Sequence, residues 1–219
     1  MLSKREQKII EKLKVGYDSY ALDFARSRQG LIWPELQKIL LTVEAGSKVL
    51  DLGCGSGRII SLLPSGIKYL GIDNGQKLLE SAQTRFPNYS FQLGDLIYLP
   101  KLTKEKFNYI ICAAVWHHLP SCRLRKKLLL DMKSRLELNG KIIISVWDLW
   151  HNPKLKSKAF LSLLSFHPGD VFFLGFKNKD YRYYHAFTKY EIKRLAKKAG
   201  LKVEKFSVAD GNYYLILGL

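Results

Sequence analysis

Cysteine is scarce in this 219-residue chain: Cys54, Cys112 and Cys122 are the three present. None makes a C-x-x-C pair, so neither a zinc ribbon nor a disulfide framework is indicated, and a reducing, cytoplasmic setting is the default. No run of roughly eighteen uncharged apolar residues occurs, which argues against a membrane-spanning helix. The opening residues, Met1 to Glu6, lack the apolar segment of a secretory leader. Internal repeats and low-complexity tracts are missing as well. Acid is in short supply: 19 Asp and Glu stand against 36 Lys and Arg, a net charge of +17. That imbalance attracts polyanions, nucleic acid first and anionic membrane second. A lysine-rich surface kept for solubility is the blander reading.

What is present suits one folded domain over residues 1–219. Hydrophobic residues make up 47% of the chain, enough for a full core at this length. Residues 1–45 read as a helical N-terminal lid. Ile9, Ile10 and Leu13 sit at helical spacing, Gly16 is expected to break that helix, and a second runs from Tyr17 to Ser27. Trp33-Pro34 suits a third helix start, with proline in the first turn. Residues 46–150 then alternate strand and helix, which implies a mostly parallel sheet with right-handed crossovers. Strands are expected at Lys48–Leu52, Ile67–Ile72, Tyr89–Leu93, Phe107–Cys112 and Lys141–Trp147. Helices are expected at Arg58–Leu63, Gly75–Phe86 and Ser121–Leu138. Residues 151–187 break the rhythm and read as a partly helical insertion over the site. Residues 188–219 close the chain. Thr188 caps a helix with Glu191 as its capping-box partner, and the Asp210-Gly211 turn joins two antiparallel strands.

The segment Val49-Leu50-Asp51-Leu52-Gly53-Cys54-Gly55-Ser56-Gly57 organises the rest. An apolar strand ending in an acid and a glycine turn is the layout of a nucleotide-binding crevice. The glycine spacing is not that of a dinucleotide fingerprint, and a pyrophosphate would sit badly beside Asp51. No Gly-Lys-Ser/Thr follows, so a phosphate-binding loop is excluded. S-adenosylmethionine carries an ammonium and a sulfonium instead, which a carboxylate favours. Acids also end the next two strands. Asp73 is placed to take the ribose hydroxyls, with Asn74 beside it. Asp95 is placed for the adenine amino group, with Leu96 packing on the ring. Asp51 faces the methionine end, and Gly53, Cys54, Gly55, Gly57 and Ala113 complete the expected cofactor set.

On these residues the chain resembles the class I S-adenosylmethionine-dependent methyltransferases. The resemblance implies an α/β fold: a Rossmann-like seven-stranded, mostly parallel sheet with an antiparallel C-terminal hairpin and an N-terminal helical extension. A narrower likeness rests on Ser27-Arg28, Trp33-Pro34, Ala113-Ala114-Val115-Trp116-His117-His118, Val146-Trp147-Asp148, Arg182-Tyr183-Tyr184-His185-Ala186-Phe187 and Asp210-Gly211-Asn212-Tyr213-Tyr214. Together these look like the tRNA wobble-uridine carboxymethyl methyltransferases. That likeness implies Arg28, His117 and His118 at the reacting end. It implies Tyr17, Trp33, Trp147 and Asn212 at the substrate, with Arg182, Tyr183, Tyr184 and His185 lining the RNA side. It also implies tRNA, through its anticodon loop, as partner. A small zinc-binding activator protein, which eukaryotic members use, is a further partner it brings into view.

The chemistry is simple. A carboxylate is already ionised at neutral pH, so attack on a methyl sulfonium needs alignment and desolvation rather than a base. Arg28 is expected to hold that carboxylate, and His117 to donate to it or orient the base. A di-histidine metal site lacks a carboxylate partner nearby. The basic residues Arg123, Arg125, Lys126 and Lys127, Lys154, Lys156 and Lys158, and Lys189, Lys193, Arg194, Lys197 and Lys198 fit RNA phosphates. A small-molecule methyltransferase and a non-catalytic binder of the cofactor remain the alternatives.

Overall fold

The computed structural model describes residues 2–19, 33–174 and 181–219. In chain order these form α1 (Lys4–Ser19), α2 (Pro34–Leu40), β1 (Lys48–Leu52), β2 (Lys68–Asp73), α3 (Gln76–Arg85), β3 (Ser90–Leu93), α4 (Leu99–Leu102), β4 (Phe107–Ala113), α5 (Cys122–Ser134) and β5 (Leu136–Trp147). Then follow α6 (Lys156–Ser162), β6 (Asp170–Leu174), β7 (Tyr181–His185), α7 (Lys189–Lys198), β8 (Lys202–Ala209) and β9 (Asn212–Gly218). Seven strands make one sheet in the order β3-β2-β1-β4-β5-β9-β8, and β6 pairs with β7 apart from it. The first five strands of the sheet run parallel, and β9 joins both β5 and β8 antiparallel. The Rossmann-like sheet and its closing hairpin are as the sequence implies.

Alternation along the strands builds the two faces. Leu50, Leu52, Ile110, Cys112, Ile142, Ile144 and Val146 face α5 and α7, where Leu124, Leu128, Leu129, Ile192 and Leu195 meet them. Val49, Ile111, Ile143 and Tyr214 face Leu36, Ile39 and Leu40 of α2. Each of these apolar side chains contributes about 1.5–3 kcal/mol by leaving water. Pro34 opens α2 with Trp33 as its N-cap, since proline fixes a helical φ where no amide donor is needed. Asp210 and Gly211 turn β8 into β9 at φ 52° and 70°, the mirror-image turn that matches strand twist.

Several expectations are corrected. α1 continues through Gly16 to Ser19; one glycine costs only about 1 kcal/mol, which packing on β7 offsets. The helix expected at Arg58–Leu63 is only a short 3-10 turn, Ile60–Leu62, because too few residues precede Pro64 to offset helix nucleation. α5 stops at Ser134 rather than Leu138. Leu136 instead pairs with Phe107 and opens β5, so burial in the sheet overrides the helical propensity of Leu-Glu-Leu. The insertion has its expected helix, α6, and a hairpin the periodicity did not show. Thr188 Oγ accepts the Glu191 amide at 3.1 Å, but the Glu191 carboxylate turns to His185 and Arg125 instead of closing a capping box.

Candidate active site

Strand order reverses between β1 and β4, and the loops that follow them part there, which is where such sheets bind ligands. A cavity of about 170 Å³ opens at that point. Its floor is Asp51, Gly53, Cys54, Gly55, Ser56 and Arg58 after β1. One wall is Asp73 and Asn74 after β2 with Asp95 and Leu96 after β3. The opposite wall is Ala113, Ala114, Val115, His118 and Leu119 after β4. Gly53 has φ 74°, and a Cβ there would lie 2.3 Å from Val115, so any side chain would collide with the opposite wall. Gly55 lines the cavity, and a Cβ built on it meets nothing within 4 Å. Bare backbone therefore faces the ligand space.

The acids are held ready from behind. Asp73 accepts the Gly55 and Gly75 amides at 2.8 Å, one on each oxygen, which fixes the carboxylate in the cavity wall. Asp95 accepts the Ile97 amide at 3.1 Å and caps a short turn; burial raises its pKa. Asp51 is 2% exposed and accepts the Tyr69 hydroxyl at 2.7 Å. Burial pushes its pKa up to about 7, with Tyr69 and Arg58 pulling the other way. Two carboxylates and a bare glycine loop are the right donor set for a cationic nucleoside: acids for ribose and ammonium, backbone for close approach. S-adenosylmethionine fits this set. One consequence is measurable. Asp51 must be ionised to face an ammonium, and its ionised fraction falls as pH drops through about 7. Cofactor affinity is therefore expected to fall about tenfold per pH unit below that point. Binding at pH 6 should release a proton, visible as a buffer-dependent heat in calorimetry; a flat affinity from pH 5.5 to 8 would contradict it.

The sequence led us to expect a helical N-terminal lid but did not show which of its residues reach the cavity. Ile10, Leu13 and Lys14 of α1 close the cavity from above. Ile10 and Leu13 read as ordinary apolar positions, and only the fold shows which space they cover. Ala114 was missed too. Its φ is 59°, a strained conformation for a residue with a Cβ. Hydrogen bonds from its amide to the Ser145 carbonyl and Oγ, at 2.9 and 3.1 Å, hold it there. That bend turns the chain into the short turn carrying Trp116, His117 and His118.

The two histidines take different places. His118 lines the cavity, while His117 is 1% exposed behind it. Their rings meet edge-on at 4.5 Å. Tyr184 lies 5.0 Å from the His117 ring and 4.7 Å from the His118 ring. It stacks on Trp147 at 4.8 Å and on Phe173 at 5.1 Å. The result is an aromatic wall. Burial holds His117 well below its ordinary pKa, and the neighbouring His118 and His185 add to this. Burial likewise takes His118 down to about 4, partly offset by its contact with the Tyr183 carbonyl. Both rings are neutral at physiological pH. His117 Nδ1 accepts the Trp147 amide at 3.3 Å, which places its proton on Nε2. Nε2 is buried and has no partner among the described residues.

The other sequence-derived residues divide. Trp33 packs under the Arg58 guanidinium at 4.7 Å, beside the cavity that Arg58 lines. Gly57 is not part of the cavity lining; it packs against Ile60 and Phe86. Arg182 is half-buried at the hairpin, and its charge acts on His118. Tyr183, His185 and Asn212 are at most 3% exposed, which corrects the expected contact of Tyr183 and His185 with RNA and of Asn212 with the substrate. Tyr183 donates to Asp170 at 2.7 Å, His185 sits between Asp170 and Glu191, and Asn212 donates to the Asp210 carbonyl at 2.8 Å. Tyr184 is also buried, as the backing of the wall rather than an exposed stacking face. Arg28 lies outside the described residues, as does the side chain of Tyr17.

A sheet of this order, a glycine loop after β1 and acids after β1, β2 and β3 define an S-adenosylmethionine-dependent methyltransferase. The chain belongs to the family described as "Methyltransferase domain", whose match spans residues 43–200. It is 30% identical over 147 residues to the tRNA (carboxymethyluridine(34)-5-O)-methyltransferase of Saccharomyces cerevisiae, covering 67% of this chain and 50% of that protein. It is 25% identical over 222 residues to the protein of the same name from Schizosaccharomyces pombe, covering 91% of this chain and 92% of that one. Among solved structures, the fold matches an S-adenosylmethionine-dependent methyltransferase of Methanosarcina mazei with TM-score 0.70 and 16% identity, over 85% of this chain and 97% of that one. It also matches a Haloferax volcanii methyltransferase solved with the Trm112 methyltransferase activator, with TM-score 0.67 and 16% identity, over 92% and 96% of the two chains.

Proposed function

We propose that this chain methylates the carboxylate of a carboxymethyl-type modified uridine at the wobble position of tRNA. The observation that carries the reading is the uncharged aromatic wall, His117, His118, Trp147 and Tyr184, at the end of a cavity built for S-adenosylmethionine. The nucleophile is a carboxylate and the donor a sulfonium, so opposite charges disappear together as the methyl passes. A water-poor, uncharged setting favours a reaction that disperses charge. Two histidines held neutral by burial supply it. They are poor bases at pH 7, and a carboxylate needs none. The relatives named for this activity support the nucleoside.

The surface supports RNA. Between Leu149 and Gly169 the chain has no acidic residue, and Lys154, Lys156 and Lys158 there are exposed. Lys189, Lys193, Arg194, Lys197 and Lys198 stud the outer face of α7. By contrast, Arg125 is buried on Glu191 and drops out of the RNA footprint, while Arg123 pairs with Glu6 and Lys127 with Asp131. We place a small activator protein among the partners on the strength of the Haloferax complex. Trp147 is half-buried with one face on Tyr184. Trp147→Ala is expected to raise the KM for tRNA about tenfold through lost base stacking, with cofactor affinity unchanged. The affinity of the wild-type protein for tRNA should fall steeply between 50 and 200 mM salt. A KM that does not move and a binding constant indifferent to salt would count against an RNA substrate.

A further inference from the structure

Five charged or ionisable side chains on five elements form one row, buried except at its Arg5 end. Arg5 of α1 pairs with Asp170 of β6. Asp170 Oδ1 lies 3.2 Å from Nδ1 of His185, its cross-strand neighbour on β7. His185 Nε2 lies 2.8 Å from Glu191 of α7, and Glu191 lies 3.5 Å from Arg125 of α5. The His185 side chain is 4% exposed. Carboxylates only accept, so a ring nitrogen that faces one can serve it only as a donor.

The row ends at the cofactor cavity on both sides. At one end, α1 carries Leu13, which lines the cavity and packs against Tyr183. At the other, Arg125 donates to the carbonyl of Leu119, also a cavity residue, at 2.9 Å. Between them, Tyr183 donates to Asp170, and the next residue, Tyr184, backs Trp147. Burial works against ionisation of Asp170 and Glu191, yet the hydrogen bond from His185, joined by those from Tyr183 and Arg5 to Asp170, keeps both carboxyls below the usual range.

We propose that His185 is a positioning residue: clamped between Asp170 and Glu191, it holds Asp170 in place for Arg5 of α1, so that the roof over the cofactor and the wall facing the substrate are set by one lock. His185→Gln offers one donor and one acceptor where two donors are needed, so one carboxylate is left without its partner. Arg5→Met releases the row at its partly exposed α1 end.

The test is a double-mutant cycle on S-adenosylmethionine binding by the full chain, read by calorimetry, with hydrogen exchange of the α1 amides. His185→Gln is expected to weaken binding about tenfold and Arg5→Met about threefold, with the double variant no worse than His185→Gln alone. Exchange in α1 and in β6–β7 should rise together. Losses that simply multiply in the double variant, or a folded His185→Gln that binds the cofactor normally, overturn the proposal. Where His185→Gln does not fold, Arg5→Met decides alone. Weakened binding at an unchanged melting temperature supports the lock, and unchanged binding refutes it.

Discussion

Asp73→Ala is expected to raise the dissociation constant for S-adenosylmethionine about 100-fold while leaving the fold intact. The carboxylate sits at the end of β2 with each oxygen fixed by a backbone amide, from Gly55 and Gly75 at 2.8 Å. It is therefore preorganised, and binding costs little side-chain entropy. A vicinal diol then donates twice to a charged acceptor. Hydrogen bonds to a charged group are worth about 1.5–3 kcal/mol each, so losing the pair amounts to about 3 kcal/mol, or roughly 100-fold. The alanine also leaves the two amides without their acceptor. Gly55 lines the cavity, where water can replace the lost acceptor, so the cost to stability is about 1 kcal/mol. Equilibrium titration with the cofactor checks this; an affinity within threefold of wild type would remove Asp73 from the site.

Arg28→Ala is expected to lower kcat/KM for tRNA about 10²-fold with cofactor affinity unchanged. The two histidines beside the cavity are neutral, so neither balances the charge of an incoming carboxylate. Lys14 and Arg58 line the cavity, but Arg58 lies over Trp33 and acts on Asp51, and the charge of Lys14 acts on Asp95. Both serve the cofactor end. We propose that Arg28, expected at the reacting end from the sequence likeness, meets that need, since its planar fork suits a carboxylate. Its contribution is orientation. The negative charge is spent as the methyl moves, so a cation holding it stabilises the bound substrate more than the transition state. Misalignment by about 1 Å costs roughly 10²-fold, which sets the expected loss. Arg28→Lys should recover only part of it, because an ammonium cannot hold both oxygens in one plane. Normal turnover of Arg28→Ala in steady-state assays would defeat the assignment.

The cofactor half of the site was legible in the sequence because its signal is local. A glycine turn and strand-end acids lie within a few residues of the strands that place them, and the order of a parallel sheet brings Asp51, Asp73 and Asp95 together. The substrate half was legible only as a set of residue types. Tyr183 and His185 look like an exposed, RNA-facing pair in a basic segment. They are buried because β7 pairs with β6, and that hairpin has no alternating pattern to reveal it, being covered by α1 on one face and α6 on the other. Histidines 117 and 118 are adjacent, and no sequence rule says which one a turn points at the cavity; the strained Ala114 decides it. Gly16 was read as a break because local propensity disfavours it, whereas the contacts of Ile9 and Leu13 with Tyr183 carry α1 past it.

On the proposed reading, the methyl acceptor is a carboxylate on a wobble uridine. Incubation of the protein with labelled S-adenosylmethionine and total tRNA, with an activator subunit supplied, followed by nucleoside mass spectrometry, tests it most directly. The expected product is a uridine bearing a methyl ester that mild base hydrolyses with release of the label. Label in a base-stable nucleoside, or label transferred to small carboxylic acids and not to tRNA, would contradict it.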